Sequence, residues 1–253
     1  MNYMKLLIRS DDLGYSEAVN YGIEKAMRFG LSRSIGLMTN MPAAAHGVSL
    51  IKDLDVCIGQ HTNICVGRPL MDPALIPSIV GEDGCFKRSQ SYRMSAEDFV
   101  IVDEAILEIE AQYNRFCELT GHEPEYFEAH AVRSENFNQA MKIVAERHGL
   151  KYSTPYNPHA LARIGGTDVN SCLLESMSPD YDPVQSLKKE VKNGRRDIPN
   201  LYVCHPGYLD AYLLRTSSLT INRTREVEML TSTEVRDWLE SQDVVLISHR
   251  DLV

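Results

Sequence analysis

Short apolar runs punctuate the chain and are separated by longer amphipathic stretches. Seven of these runs read as strands: residues 5–10, 34–40, 56–61, 125–130, 150–154, 201–205 and 244–248. Most are continuous rather than alternating, as expected of strands covered on both faces in a parallel sheet. Helical patterns lie between most of them. Ser16 is placed to cap a helix running to Phe29, with Gly30 at its end. A second helix is expected over 43–52, after Pro42. Ser95 followed by Asp98 predicts the start of the strongest helix, where Phe99, Val102, Ile106, Ile109, Tyr113 and Phe116 recur at steps of three and four. Further helices are expected over 138–147, 182–192 and 233–241, the last led by Thr231 with Glu234 three residues on.

Strand and helix repeat in this way without a Pro- or Gly-rich linker, so residues 1–253 are expected to form a single catalytic domain. The fold class is α/β. Seven strands over this length favour a distorted (β/α) barrel, TIM-barrel-like, with about seven parallel strands, over an open doubly wound sheet. Two stretches break the rhythm: about 67–92, with three prolines and the turn Glu82-Asp83-Gly84, and 163–183. Long insertions after strands usually lie over the active-site mouth, and both are expected there.

Composition narrows the partners. A formal charge of −9 argues against nucleic acid, because phosphate contacts need a basic surface. No apolar run approaches the roughly 20 residues that span a bilayer, so no membrane partner is expected. The apolar start is short and soon meets Arg9, Asp11 and Asp12, unlike a signal peptide. Six scattered cysteines without a CxxC pair read as reduced thiols, which points to a cytoplasmic protein. A homodimer is the default expectation for oligomeric state.

The polar residues at strand ends carry the chemistry. Asp11 and Asp12 end the first strand, His61 the third, His130 the fourth and His205 the sixth. In parallel α/β folds these ends converge on one face, where ligands bind. A carboxylate with two imidazoles makes a three-ligand site for Zn²⁺ or a similar divalent ion. Two groups are then left over. A second aspartate is available to take a proton from the attacking water, and a remaining histidine to protonate a leaving amine. That inventory suits hydrolysis of an acyl amide.

The same residues resemble the YdjC-like carbohydrate deacetylases. Ser10-Asp11-Asp12-Leu13-Gly14 is similar to that family's N-A-D-D-F-G opening, and Ile58-Gly59-Gln60-His61 with Gly67-Arg68-Pro69-Leu70 to its G-x-H and G-[KR]-P-L segments. Phe127-Glu128-Ala129-His130 resembles its fourth-strand segment, and Cys204-His205-Pro206 its C-H-P. The resemblance implies a distorted barrel and one divalent metal ion, Mg²⁺ or Zn²⁺. It makes Asp12, His61 and His130 the metal ligands, Asp11 the general base and His205 the general acid. It further implies removal of N-acetyl groups from a small acetylated amino sugar or short chito-oligosaccharide. The alternatives are a metal-dependent hydrolase of another amide or ester, and an idle sugar-binding homologue. One departure stands out: where the family often continues H-x-H-x-H, this chain reads His130-Ala131-Val132-Arg133-Ser134.

Other polar residues weigh less. His46, His122, His148 and His159 read as surface or loop residues, with His249 near the mouth as an open expectation. Arg68 reads equally as a substrate contact or a solvated loop residue. Tyr208 and Tyr212 read as structural rather than sugar-stacking. Glu128 shares a strand face with His130 by the period of two and reads as a structural carboxylate before a ligand-orienting one.

Overall fold

The computed structural model describes residues 3–157 and 160–253, so His159 lies outside the described residues. All seven expected strands form. They are β1 (Met4–Leu13), β2 (Ser34–Leu37), β3 (Cys57–Thr62), β4 (Tyr126–Ala129), β5 (Lys151–Tyr152), β8 (Asn200–Cys204) and β9 (Val244–Ile247). Two more, β6 (Ala162–Ile164) and β7 (Thr167–Ser171), were not anticipated. The sheet runs β5-β4-β3-β2-β1-β8-β7-β6, with β9 against the start of β1. Every pairing is parallel except the β6–β7 hairpin. An antiparallel bridge between Ser153 and Ile164 joins the two ends of that path, making the sheet a nearly closed barrel.

Helices cover the outside: α1 (Glu17–Arg28), α2 (Ala44–Ile51), α3 (Ser89–Met94), α4 (Val102–Thr120), α5 (Glu135–Arg147), α6 (Pro183–Asn193), α7 (Ala211–Thr216), α8 (Ile221–Thr231) and α9 (Thr233–Ser241). β1 shows why its apolar run is continuous. Leu6 and Ile8 pack outward against Leu187, Met229, Leu230 and Leu239 of the helices, while Leu7 points inward to Val169, Leu201 and Leu252. Above that inner apolar layer the barrel turns polar, with Arg9, Asp11, His61 and Glu128 all buried. Glycine makes the room. A Cβ on Gly59 would stand 2.3 Å from the Tyr126 ring, and one on Gly36 would stand 2.7 Å from Glu128 Oε1.

Two expectations fail locally. Ser95 does not start the long helix; it ends α3, and α4 begins at Val102. Asp98 is spent elsewhere, accepting from Ser134 Oγ and the Asn136 N–H and so bracing the start of α5. Ser232, not Thr231, caps α9, because Thr231 is still the last residue of α8. The stretch 163–183 is part sheet. Its β6–β7 turn contacts Val253 through the Gly166 N–H, at the end of the barrel away from the strand C-termini.

Candidate metal centre

Asp11 and Asp12 are neighbours on β1, and regular pleating would send them to opposite faces of the sheet. The register slips between Ser10 and Leu13, and Asp12 adopts the left-handed φ of +77°. Such a bulge re-aims one side chain, and aspartate tolerates that conformation better than most residues. Both carboxylates therefore reach the same mouth. His61 comes from β3, and His130 follows β4 immediately, with Ala131 turning the chain at φ +46°.

Three donor atoms converge. Asp12 Oδ1 lies 3.2 Å from His61 Nε2 and 3.2 Å from His130 Nδ1, and the two nitrogens are 2.9 Å apart. Donors about 2.0–2.2 Å from one ion at tetrahedral or octahedral angles stand about 2.8–3.6 Å apart, so the set fits a divalent cation. Asp12 Oδ1 is also a buried oxygen without a hydrogen-bond partner. A carboxylate oxygen left bare in the protein interior is costly unless something positive meets it. Asp12, His61 and His130 form one group that could hold the ion; Asp11, His61 and Glu128 form a second, but there the carboxylates already meet Arg9 and His61 Nδ1.

The surroundings fix each donor. Glu128 Oε1 bonds His61 Nδ1 closely, which directs Nε2 toward Asp12 and His130. Arg9 forks onto Asp11, Nε to Oδ1 at 2.6 Å and Nη2 to Oδ2 at 2.7 Å, and its Nη2 also lies 3.2 Å from Glu128 Oε2. Arg223, on α8, donates from Nη2 to Asp12 Oδ2 at 2.7 Å. His205 stands at the end of β8, with its Nδ1 sealed from solvent and unpartnered.

Charge follows from these contacts. Burial opposes ionisation of Asp12, but Arg223, His130 and His61 outweigh it and hold the carboxyl well below its ordinary range. Burial likewise disfavours a charged His61, yet Glu128, Asp11 and Asp12 carry it up to about 9. His130 is also raised, against burial, by Cys65 and Asp12. Two imidazoles drawn toward positive charge beside an ionised carboxylate give the electrostatics of a site that favours a cation. His205 goes the other way: burial lowers it to about 4, despite Asp12 and Asp11 nearby. Burial also raises Glu226, on α8, to about 7 against hydrogen bonds from the His205 N–H and Tyr181.

The structure thus brings Asp11, Asp12, His61 and His130 together, and Arg223 ties His205 to the group by donating to its carbonyl at 3.4 Å. His249 is not at the mouth. It stacks on Tyr126 at 3.6 Å within the barrel, its N–H bonded to Ser34 at the start of β2. His46, His122 and His148 lie in helix or loop surface contacts, as expected. Tyr212 packs edge-on against Tyr15. Sequence reasoning missed Arg9, Arg223 and Glu226. Arg9 alone carried a signal, since it shares Asp11's strand face two residues earlier.

Known proteins resemble this chain over most of its length. The YdjC-like protein family matches residues 5–241. "Carbohydrate deacetylase 2" of Listeria innocua is 31% identical, over 98% of this chain and 99% of its own length. "Carbohydrate deacetylase" of Geobacillus stearothermophilus is 31% identical, over 97% of this chain and 96% of its own. A crystal structure of a putative cellobiose-phosphate cleavage protein from Enterococcus faecalis shares the fold with a TM-score of 0.82 at 21% identity, each chain covered to 99%. A match across nearly the whole chain makes this protein a member of the YdjC-like family.

Proposed function

We propose that the protein is a metal-dependent carbohydrate deacetylase that removes N-acetyl groups from an acetylated amino sugar or short chito-oligosaccharide. The observation that carries this reading is the convergence of Asp12 Oδ1, His61 Nε2 and His130 Nδ1 within 3.2 Å of one another. The relatives named carbohydrate deacetylase support the substrate class.

Asp12, His61 and His130 would hold a divalent ion, Mg²⁺ or Zn²⁺, which would polarise an acyl oxygen and lower the pKa of water, toward about 7 in the case of Zn²⁺. The remaining steps belong to side chains. Asp11 takes a proton from the attacking water; each of its oxygens bonds Arg9 yet keeps a second lone pair for that purpose. His205 protonates the departing amine, without which an amide C–N bond does not break at a useful rate. Because burial keeps His205 neutral at neutral pH, the proton it delivers is one gained within the turnover. All six cysteines are free, which suits the reducing cytoplasm as the place of action. No helix among the described residues is long and apolar enough to cross a membrane.

The test is acetate release from a panel of N-acetylated amino sugars and short chito-oligosaccharides, after chelation and reloading with Zn²⁺, Co²⁺, Mn²⁺ or Mg²⁺. Metal-restored acetate from one member is the expected outcome. A folded, metal-loaded protein that frees no acetate from any of them sinks the reading, leaving another acyl substrate or an idle sugar-binding protein.

A further inference from the structure

Helix α8 turns charge inward. Asn222, Arg223 and Glu226 are all buried, an unusual face for a helix packed on a barrel. Arg223 spreads its donors over three elements. Nη2 meets Asp12 Oδ2 at 2.7 Å, Nη1 meets the His205 carbonyl at 3.4 Å, and Nε meets the Leu219 carbonyl at 2.9 Å. Its guanidinium carbon also sits 5.6 Å from the centre of the Tyr15 ring, which limits where the group can move. One turn along, Glu226 accepts the His205 N–H and, at 2.9 Å, the Tyr181 hydroxyl. Both backbone groups of His205 are therefore held by side chains of a single helix. The arginine that holds one of them also holds Asp12.

This division of Asp12 has a chemical consequence. A free carboxylate beside a divalent ion can chelate through both oxygens. Here Oδ2 is committed to a charge-assisted bond, while Oδ1 faces both imidazole nitrogens at 3.2 Å and has no hydrogen-bond partner. Arginine suits the task, being permanently charged and forked, so one group can hold Asp12 and the His205 carbonyl together. We propose that Arg223 is a positioning residue that restricts Asp12 to one-oxygen ligation and sets His205 at a fixed distance from it. Withholding the second oxygen keeps a coordination position open for water or substrate. The inference rests on the metal-site reading above and adds to it a residue in no strand-end motif.

The test uses Co²⁺-loaded full-length protein as wild type, Arg223→Met and Arg223→Lys. Cobalt's visible absorption weakens as coordination number rises, so it reports how Asp12 binds. In Arg223→Met, Oδ2 is released to chelate; the band is expected to weaken and kcat to fall about a hundredfold, on the scale of groups that orient ligands. In Arg223→Lys, one charged donor still reaches Oδ2 but none spans to His205. The wild-type band should persist while kcat falls about tenfold at unchanged KM. A role in packing alone would lower the melting temperature without moving the band. Wild-type band and kcat in a folded Arg223→Met overturn the inference, and should that variant not fold, undiminished kcat in Arg223→Lys overturns it. Wild type that takes up no Co²⁺ defeats the metal-site reading itself, whatever the variants do.

Discussion

On the side of the mouth formed by β1, β3 and β4, strand residues brace strand residues. Arg9 stands two positions before Asp11, Glu128 two positions before His130, and the Glu128 carboxylate bridges Arg9 to His61. On the side formed by β8, His205 depends on Arg223 and Glu226, both on a helix well downstream. The strand-held side places ligands with a lattice of fixed spacing, backed by a buried ion-pair chain. The helix-held side sets His205 against that lattice from outside. A barrel can thus keep Asp12, His61 and His130 constant while the position of His205 is adjusted through one helix.

The sharpest way to break the comparison is at the chemical step. Asp11→Asn should keep one of the two bonds from Arg9, through its oxygen, and leave ion uptake intact. Steady-state acetate release should nonetheless fall about 10²–10⁴-fold, the usual loss of a general base. Normal turnover in that variant would remove Asp11 from its role. Next in size is Glu128→Gln, which weakens the hold on His61 Nδ1. Competition against a chromophoric chelator should show metal affinity reduced about 10–100-fold, while the corresponding change on the helix-held side, Glu226→Gln, leaves affinity near wild type.

Glu226 also gives the two sides different pH behaviour. Its folded pKa, about 7, lies above the ordinary 4.5, so folding binds a proton there. The stability that this supplies is fully present below about 4.5 and is lost as pH rises through about 7. Urea unfolding between pH 4.5 and 8 should show wild type losing stability relative to Glu226→Gln as pH rises; parallel profiles would contradict it. Smallest is Asp98→Ala, which removes the brace on Ser134 and the start of α5 just beyond His130. It should cost about 1 kcal/mol in unfolding free energy, the scale of a helix cap, with turnover unchanged.

The same contrast explains what was legible in advance. Continuous apolar runs ending in Asp12, His61, His130 and His205 identify parallel strands and their reactive ends, because a strand end is a local feature. The braces are not local. Arg9 and Glu128 could be placed on the right face by the period of two, but their partners across the barrel could not. Helix α8 was invisible because Asn222, Arg223 and Glu226 take inward positions, and the buried apolar residues Val227, Met229 and Leu230 all lie in its last turns, too short a run for a period to show. The bulge at Asp12 and the use of Asp98 on α5 rather than on its own helix are tertiary choices that no window of sequence contains.

The most direct measurement of the central claim is metal content per chain, in wild type and in Asp12→Ala and His61→Ala, each checked for folding and for acetate release. The account predicts one divalent ion per wild-type chain, none retained at equal free metal by the two variants, and acetate release that rises and falls with occupancy. A folded wild-type chain that takes up no ion, or releases acetate at full rate when metal-free, would contradict it.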